Sequence, residues 1–551
     1  MKGIQVFSFL SFGYEGKLVK VEADLKTGLP ITEIVGLPGN AVKEARERVR
    51  AAVKNSELEY PPFRVLINLS PASERKEGSG FDLAIALAVL AANEKTETQS
   101  ERAVMVIGEL ELSGRVRHVS GVLAAISCGI KAGIANFIVP KENKREALIP
   151  GNCRVFGAEN LCEAFTALQS LYKIDLGKST NTTGNTELLH KEKNQEAFQT
   201  KIFTEKSLKN KAITWSEKVK NNYGEVKGQD NLLFAVELAA AGGHNMLVYG
   251  TPGCGKTLAL KKFADLLPDL DFKTSEELTR IYSIAGLLNV QRSNDILIRR
   301  PPFRMPHQSA SLEGIIGGAG KCMPGEISLS HGGVLFLDEA AQFKPSVLQS
   351  LRAPLENGFV TLSRAEKRST YPAQFQLLLA MNPCECGNLG SAEKFCTCSM
   401  QQLDRYWKKL TAPLLDRIDM RIFVEPPKAE SLLAETSYSS ENMRAKVKSV
   451  YEQSFERNGF YMHKKMHSFF NLKNAHISAE YIGKICILTD EAALSFNKLS
   501  NADNFSGRAS HAVLKLARTI ADIENLEKIN TACLEQAAAL RKFNPLLPDF
   551  L

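Results

Sequence analysis

The 551-residue sequence predicts an α/β protein of about three domains, the last of them helical. Short apolar runs alternate with helical patterns over the first 170 residues and again from about residue 223, which is typical of strand and helix units. The second of these stretches also contains a glycine-rich turn between a short buried strand and a helix. After about residue 425 the pattern is helical and rich in lysine.

Composition places the chain among ordinary globular proteins. Hydrophobic residues make up 44% and charged residues 24%, which excludes general disorder and fibrous folds. The formal net charge of +8 permits a polyanionic partner without requiring one. The sequence contains no secretory signal pattern and no run of about 18 apolar residues, so we expect a cytoplasmic protein without a membrane partner. In that compartment clustered cysteines are more often metal ligands or free thiols than disulfides.

Residues 1–172 are predicted to form a first mixed domain. Short apolar runs bounded by turn residues favour strands, and apolar residues three or four apart favour helices. The expected strands are 18–23, 63–69, 104–107 and 137–139, and the expected helices are 41–54 and 81–92. Residues 173–222 contain many lysines and few large apolar side chains, so we expect a basic flexible linker. A solvated tether is favoured there over a nucleic-acid contact.

A complete P-loop motif follows a predicted strand over 245–249 and precedes a predicted helix over 258–267. Its glycines let successive backbone N–H groups surround phosphate oxygens at a helix N-terminus. We expect Lys256 to reach the β- and γ-phosphates of ATP and the Thr257 hydroxyl to bind Mg²⁺. The motif consists of Gly250, Thr251, Pro252, Gly253, Cys254, Gly255, Lys256 and Thr257.

Two further apolar strands end at polar residues suited to ATP hydrolysis. Residues 334–337 place Asp338 at the carboxyl end of a buried strand, where it would hold Mg²⁺. Glu339 is then positioned to polarise the attacking water. A third strand, 375–381, ends at Asn382, whose amide could contact the γ-phosphate or the water as a sensor. Alone, an asparagine at a strand end is usually a turn residue.

Seven motifs in one order resemble the magnesium-chelatase-like AAA+ ATPases of the ComM type, over nearly the whole chain except the linker. They are the P-loop and the segments 223–229, 324–339, 351–356, 380–387, 413–419 and 517–522. The resemblance implies an AAA+ core over 223–425, a helical lid over 426–551 and a hexameric ring with ATP at the subunit interfaces.

The resemblance also implies two catalytic arginines. Arg417 would be the finger that reaches a neighbour's γ-phosphate, and Arg508, at the start of a lid helix, would be the second sensor. The alternative for Arg417 is an intramolecular pair with Asp416 or Asp419. One departure from the family is that Gln308 follows His307, where paired histidines are usual.

The first domain resembles the proteolytic domain of Lon without its chemistry. Segments 76–80 and 108–114 are similar to those that carry Lon's serine and precede its lysine. The serine position falls on Gly80, Ser79 lies one residue away, and no lysine occurs from Arg115 to the residue before Lys131. A nucleophile displaced by one residue loses its geometry, so we expect a non-proteolytic scaffold or binding module.

Two cysteine pairs lie just beyond the sensor strand. Four thiolates on one loop could bind Zn²⁺ tetrahedrally, although structural sites favour wider spacing within each pair. Free structural thiols are an equal alternative, and an intracellular disulfide is a weaker one. The pairs are Cys384 with Cys386 and Cys396 with Cys398.

A basic turn between two predicted strands, 358–363 and 370–380, is a candidate DNA contact. A hairpin carrying Arg364, Lys367 and Arg368 at its tip could grip phosphates if it projects into a ring. The alternatives are a solvated turn, or Arg364 in contact with a neighbour's nucleotide.

The residues and the resemblance together predict an ATP-hydrolysing ring motor that acts on single-stranded or branched DNA. The ATPase activity is predicted from the residues themselves. The ring and its task, branch migration of DNA in natural transformation or recombination, are implied by similarity to the ComM type. The alternatives are a chelatase-type motor and a protein-remodelling ATPase that acts on a protein partner.

Overall fold

The computed structural model describes residues 5–94, 103–173, 215, 222–288, 296–318, 320–364, 367–391, 394–427, 430–431, 438–462, 469–502 and 505–543. Within these ranges the fold is mixed α/β, as predicted. No helix among them combines the length and apolar character needed to cross a bilayer. Nearly all of the predicted linker, 174–214 and 216–221, lies outside the described residues.

The N-terminal region is a mixed sheet with helices on both faces. Its strands are β1 (Gln5–Leu10), β2 (Lys17–Lys26), β3 (Thr32–Val35), β4 (Arg64–Ser70), β5 (Ala103–Val106), β6 (Glu109–Leu110), β7 (Val116–Arg117), β8 (Asn136–Pro140) and β9 (Arg154–Ala158). Its helices are α1 (Asn40–Asn55), α2 (Asp82–Asn93), α3 (Val122–Lys131), α4 (Lys144–Ala147) and α5 (Leu161–Lys173). The predicted strands and helices of this region are present within three residues of their expected bounds.

Seven of these strands form one sheet in the order β3-β4-β2-β1-β5-β8-β9. Alternation along β5 shows how the sheet is covered. Val104 and Val106 pack into the core with α1, α2 and α5, whereas Met105 packs into a second core with α3 and the next domain. Side chains that alternate between two buried faces require apolar residues throughout, which is why β5 is a continuous apolar run.

The central region is built on a five-stranded parallel sheet. Its strands are β10 (Met246–Gly250), β11 (Phe303–Arg304), β12 (Gly317–Gly318), β13 (Met323–Pro324), β14 (Val334–Leu337), β15 (Phe359–Arg364), β16 (Lys367–Pro372), β17 (Gln376–Met381) and β18 (Met420–Val424). Its helices are α6 (Asp230–Gly242), α7 (Lys256–Lys261), α8 (Phe272–Ile284), α9 (Leu312–Ile316), α10 (Glu326–Leu329), α11 (Pro345–Ser350), α12 (Arg352–Asn357), α13 (Met400–Trp407) and α14 (Ala412–Leu415). Five of these nine strands form the parallel sheet, in the order β11-β14-β17-β10-β18.

Two expectations for this region were wrong in detail. The predicted strand 370–380 is two strands, β16 and β17, because Pro372 ends the β15–β16 hairpin and the chain then turns into the large sheet. The predicted helix 258–267 ends at Lys261 and continues as the 3₁₀ turn Phe263–Leu266. The backbone tightens there while the Lys262 ammonium turns inward to the Asn222 carbonyl oxygen, 2.5 Å away.

The C-terminal region is helical, as predicted. It comprises α15 (Ser440–Met462), α16 (Ala479–Ile485), α17 (Asp490–Ala502), α18 (Gly507–Ile523) and α19 (Thr531–Arg541). A buried carboxylate, Asp522, accepts hydrogen bonds from Arg457 at 2.6 and 2.8 Å and from Arg518 at 3.0 Å. The region is fixed to the central sheet by Arg541, which donates to the Ile418 carbonyl oxygen at 2.9 Å, just before β18.

The N-terminal region packs directly against the central region, next to the β15–β16 hairpin. The Tyr14 backbone amide donates to Ser369 Oγ on β16 at 2.8 Å, and the rings of Tyr14 and Tyr371 lie 5.6 Å apart, edge to face. The Gly121 amide donates to Ser283 Oγ at the end of α8 at 3.0 Å. The β15–β16 hairpin is therefore in contact with both the N-terminal and the central region.

Candidate nucleotide-hydrolysis site

The P-loop begins where β10 ends in the parallel sheet. Gly253 and Gly255 have φ angles of 82° and 87°, a left-handed conformation that glycine adopts without strain. Lys256 begins α7, and its ammonium donates to the carbonyl oxygens of Gly250 at 2.7 Å and Thr251 at 2.8 Å. The lysine thus lies folded across the loop whose backbone amides would receive phosphate. Cys254 is buried beneath it, with its Sγ 3.6 Å from the ammonium nitrogen.

Three neighbouring strands deliver the predicted polar residues to one edge of the sheet. β14 pairs with β17 and β17 with β10, all in parallel, so Asp338, Asn382 and the P-loop follow the same carboxyl ends. Asn382 Oδ1 lies 3.5 Å from the Lys256 ammonium. The structure therefore brings together residues that are more than 120 positions apart in the sequence.

The two predicted magnesium ligands touch each other. The Thr257 hydroxyl donates to Asp338 Oδ2 at 3.0 Å and lies 3.2 Å from Oδ1. A hydroxyl and a carboxylate are hard oxygen donors of the kind that bind Mg²⁺ together with phosphate oxygens. The donor set therefore fits the ion that the sequence predicts.

Glu339 has a non-glycine backbone in the left-handed region, with φ of 52°. Such a conformation costs on the order of 1–3 kcal/mol and persists where the surrounding structure imposes it. The Gln308 side-chain amide donates to Glu339 Oε2. In the sequence, Gln308 is visible only as a departure from the family's usual paired histidines, and that departure is the signal for this contact.

The two predicted catalytic arginines meet at a third residue that sequence reasoning did not single out. Arg417 donates to Glu356 Oε2 and Arg508 donates to Glu356 Oε1, the latter at 2.8 Å. These hydrogen bonds, first the one from Arg417, hold the pKa of the Glu356 carboxyl below its usual value.

The expected alternative for Arg417, an ion pair with Asp416 or Asp419, is wrong in the described structure. Asp416 pairs with Arg541 at 3.3 Å, and Asp419 faces His244 at 3.4 Å. Both carboxylates are therefore occupied by partners from other elements, which leaves the Arg417 guanidinium to Glu356.

Arg417 lies at the opposite edge of the sheet from the P-loop. It precedes β18, whose first residue Met420 pairs with Met246 at the start of β10, whereas the P-loop follows the other end of β10, at Gly250. Four residues of strand separate these ends by roughly 13 Å. Because Arg508 shares Glu356 with Arg417, the lid arginine lies at that same distant edge.

The four cysteine sulfurs converge. Their Sγ atoms all lie within 4.8 Å of one another, and all four cysteines are free. The cluster comprises Cys384, Cys386, Cys396 and Cys398.

The surroundings of the cluster raise the pKa of one of its thiols and lower that of another. Burial raises the pKa of Cys384 to about 12. For Cys386, burial acts in the same direction, but hydrogen bonds, first those from the Asn388 and Thr397 backbone, bring the pKa down to about 6. Metal binding at such a cluster would therefore release protons.

The basic hairpin is present as β15 and β16, with Arg364 paired to Lys367 in the backbone register. The Arg368 side chain is exposed. The side chains of Arg364 and Lys367 lie outside the described part of the structure, so their predicted DNA contacts stay predictions.

Comparison with known proteins agrees with this architecture. Residues 222–432 match the family described as "Magnesium chelatase, subunit ChlI", residues 437–541 match its C-terminal family, and residues 21–143 match "Subunit ChlI of Mg-chelatase". The chain is 34% identical over 544 residues to the competence protein ComM of Haemophilus influenzae, covering 98% of each chain. It is 35% identical over 541 residues to the Escherichia coli protein YifB, covering 98% of this chain and 96% of that one.

A part of the chain is also similar to a protease. Over 117 residues, 21% of this chain and 18% of that protein, it is 27% identical to the archaeal Lon protease of Thermococcus kodakarensis.

Fold and site together define a P-loop protein of the AAA+ class, with a Lon-like N-terminal domain and a helical C-terminal domain. The chain belongs to the YifB/ComM family of magnesium-chelatase-like AAA+ ATPases.

Proposed function

We propose that this chain is an ATP-hydrolysing ring motor that acts on DNA, as a branch-migration helicase in natural transformation and recombination. The observation that carries the proposal is the convergence of the P-loop, Asp338, Glu339 and Asn382 at one sheet edge. The basic β15–β16 hairpin and the nearly full-length similarity to a protein named for competence support the DNA part.

ATP binding would draw Lys256 away from the loop. The ammonium now bonded to the Gly250 and Thr251 carbonyls would turn to the β- and γ-phosphates, while the loop amides receive their oxygens. Thr257 and Asp338 would hold Mg²⁺, which supplies neutralisation of the phosphate charge. Their existing mutual contact places both donors before nucleotide arrives.

Hydrolysis would use Glu339 as the proton acceptor. The Glu339 carboxylate takes a proton from water as the water oxygen bonds to the γ-phosphorus. The bond from that phosphorus to the bridging oxygen breaks, and ADP and inorganic phosphate leave. Asn382, close to Lys256, would orient the γ-phosphate oxygens or the water.

Gln308 would orient that carboxylate. A carboxylate has two oxygens, and Gln308 engages Oε2, which leaves Oε1 for water. Removing a hydrogen bond to a charged group costs about 1.5–3 kcal/mol. We therefore expect Gln308→Ala to lower kcat for ATP hydrolysis roughly 10- to 100-fold, with KM nearly unchanged.

The matched variant is Gln308→His, which keeps a side-chain donor and introduces the residue usual in the family. Its kcat should stay within a few-fold of the parent value. Steady-state kinetics of both variants checks the positioning role. An alanine variant as fast as the parent, or faster, would contradict it.

In a ring, the neighbouring subunit would contribute arginines to each ATP site. Arg417 and Arg508 lie at the sheet edge away from their own P-loop, and this position supports the proposal that they act on a neighbour's nucleotide. A hexamer is the closed ring that the family resemblance implies. Each ATP would then be bound by one subunit and completed by the next.

DNA-stimulated hydrolysis tests the proposed task. We expect faster ATP turnover with single-stranded or four-way-junction DNA, and weaker DNA binding by the Lys367→Ala, Arg368→Ala double variant, because the hairpin loses two phosphate-binding charges. Turnover without DNA should persist in that variant. ATP turnover and fluorescence anisotropy with labelled DNA measure these effects.

The charge-matched control is Lys43→Ala with Arg46→Ala, two exposed basic residues of α1 in the N-terminal region. Its DNA affinity should stay close to the parent value. Equal losses in both double variants would indicate non-specific attraction. Turnover that ignores every DNA would redirect the motor function to a protein partner.

A further inference from the structure

The cysteine cluster lies against the proposed ATP site. We propose that Cys384, Cys386, Cys396 and Cys398 bind one structural Zn²⁺, and that this ion holds Asn382 and the P-loop in register. The second half of this inference rests on the proposed ATPase function. The first half, metal binding, is independent of it.

The sulfur positions fit a tetrahedral zinc ion. Cys384 Sγ lies 3.3 Å from Cys386 Sγ and 3.7 Å from Cys396 Sγ, and Cys386 Sγ lies 3.6 Å from Cys396 Sγ. Four thiolates about 2.3 Å from a zinc ion would be about 3.8 Å apart. A disulfide bond is about 2.05 Å long, so Cys384, Cys386 and Cys396 are not cross-linked to one another in this structure.

Soft thiolates arranged as a tetrahedron favour zinc over harder cations. The narrow spacing within each pair is unusual for a structural site. The fold compensates for it, because the two pairs come from opposite ends of one excursion that leaves β17 and returns at α13. The four ligands thus close a loop between a sheet strand and a helix.

Three contacts connect the cysteine loop, and the helix α13 that follows it, to the ATP site. The Tyr406 hydroxyl donates to the Asn382 carbonyl oxygen at 3.0 Å, and the Trp407 indole N–H donates to the Pro383 carbonyl oxygen at 3.0 Å. Gly387 lies so close to the P-loop that a Cβ at that position would be 2.9 Å from Pro252 Cγ. A metal ion that holds the cysteine loop together would therefore also restrain Asn382 and the P-loop.

The start of α13 makes the connection rigid. Ser399 follows the last cysteine and forms a capping box with Gln402, so the helix begins immediately after the ligands. Both aromatic donors to the Asn382 segment lie on this helix. Without the metal, the helix start and the sensor strand would lose their common anchor.

The experiment uses the full chain purified under reducing conditions. Elemental analysis should find one zinc ion per chain, lost in the Cys396→Ser, Cys398→Ser double variant. The matched control, Cys128→Ser with Cys162→Ser, removes two thiols outside the cluster and should keep its zinc. Parent protein that lacks zinc and fails to take up Zn²⁺ or Co²⁺ would overturn the site.

Coupling is measured by hydrogen exchange and by turnover. Zinc loss should speed amide exchange in peptides that cover 376–390 and the P-loop, and should lower kcat about tenfold or more, as small misplacements of catalytic groups do. Chelation of the parent protein followed by zinc return should reverse both effects, which guards against a misfolded variant. Unchanged exchange after complete zinc removal would overturn the coupling.

These readouts separate the two proposals. A parent protein that binds zinc and shows zinc-dependent exchange but hydrolyses no ATP would contradict the proposed function and support the zinc inference. Active hydrolysis in a protein that never binds zinc would do the reverse.

Discussion

Replacing Arg417 with alanine should lower ATP turnover by roughly 10³–10⁵-fold, the range found for arginine fingers. The side chain lies at the sheet edge away from its own P-loop, so its charge would stabilise the transition state only in a neighbour's site. The P-loop, Thr257 and Asp338 stay intact in the variant. Nucleotide affinity should therefore remain near the parent value while kcat collapses, measured by steady-state hydrolysis and by titration with a fluorescent ATP analogue.

Mixed rings make this prediction specific. Arg417→Ala subunits retain an intact P-loop, and Lys256→Ala subunits retain an intact finger. When the two variants are mixed, some interfaces combine the intact P-loop of an Arg417→Ala subunit with the intact Arg417 of a Lys256→Ala subunit. ATP turnover of the mixture should therefore exceed that of either variant alone. Mixtures no more active than their components would show that Arg417 acts within its own subunit. Arg417→Lys, which keeps the charge without the planar fork, should recover only part of the rate.

Glu356 positions Arg417 relative to the second predicted catalytic arginine, Arg508. It binds both Arg417 and Arg508, so the two arginines are held together before any neighbour is present. Such a pair at an exposed surface contributes little to stability. The contact instead orients the two arginines, because the carboxylate holds both guanidinium groups on one surface patch. The phosphates of a neighbour's nucleotide could replace the carboxylate there.

Local sequence was sufficient to predict the P-loop and the strand before Asp338. The chemistry of a P-loop is carried by consecutive backbone amides, so its glycines and its flanking strand and helix are all adjacent in sequence. The same is true of an apolar strand ending at two carboxylates. These elements are present, β14 with the predicted bounds and the helix after the P-loop shorter than expected.

Tertiary contacts could not be predicted in this way. Gln308 is 31 residues from Glu339, and Glu356 is 61 residues from Arg417 and 152 from Arg508. No spacing rule links such positions, because they meet only after the sheet order is set. The cysteines illustrate the intermediate case, since their sequence proximity suggested one site but only the fold shows that the four sulfurs converge.

Strand propensity also misled at one place. Thr370, Tyr371 and Phe375 favour a strand over 370–380, yet the hairpin and the sheet divide this segment between β16 and β17. Pro372 lacks the N–H that a continuous ladder needs, and the Gln374 carbonyl oxygen accepts from the Gly332 amide at 2.6 Å instead. A tertiary hydrogen bond thus sets the boundary.

Glu339→Gln should reduce hydrolysis by about 10²–10⁴-fold, the range that a positioned proton acceptor contributes. Glutamine has nearly the same shape and places the same demand on the left-handed backbone, so the fold should be preserved. Lys256, Thr257 and Asp338 are untouched, so the variant should bind ATP with Mg²⁺ and retain it. ATP that remains bound after gel filtration, with no phosphate release and no stimulation by DNA, would be the expected result.

Asp338→Asn provides the contrast, because it removes a charge that would hold Mg²⁺ rather than one that accepts a proton. We expect it to weaken Mg²⁺-dependent ATP binding as well as turnover, since Thr257 would lose its carboxylate partner. Two adjacent residues on one strand end would then separate binding from chemistry. If Glu339→Gln instead kept more than a few per cent of the parent rate, another group would have to accept the proton, and Gln308 would be orienting a carboxylate that hydrolysis does not need.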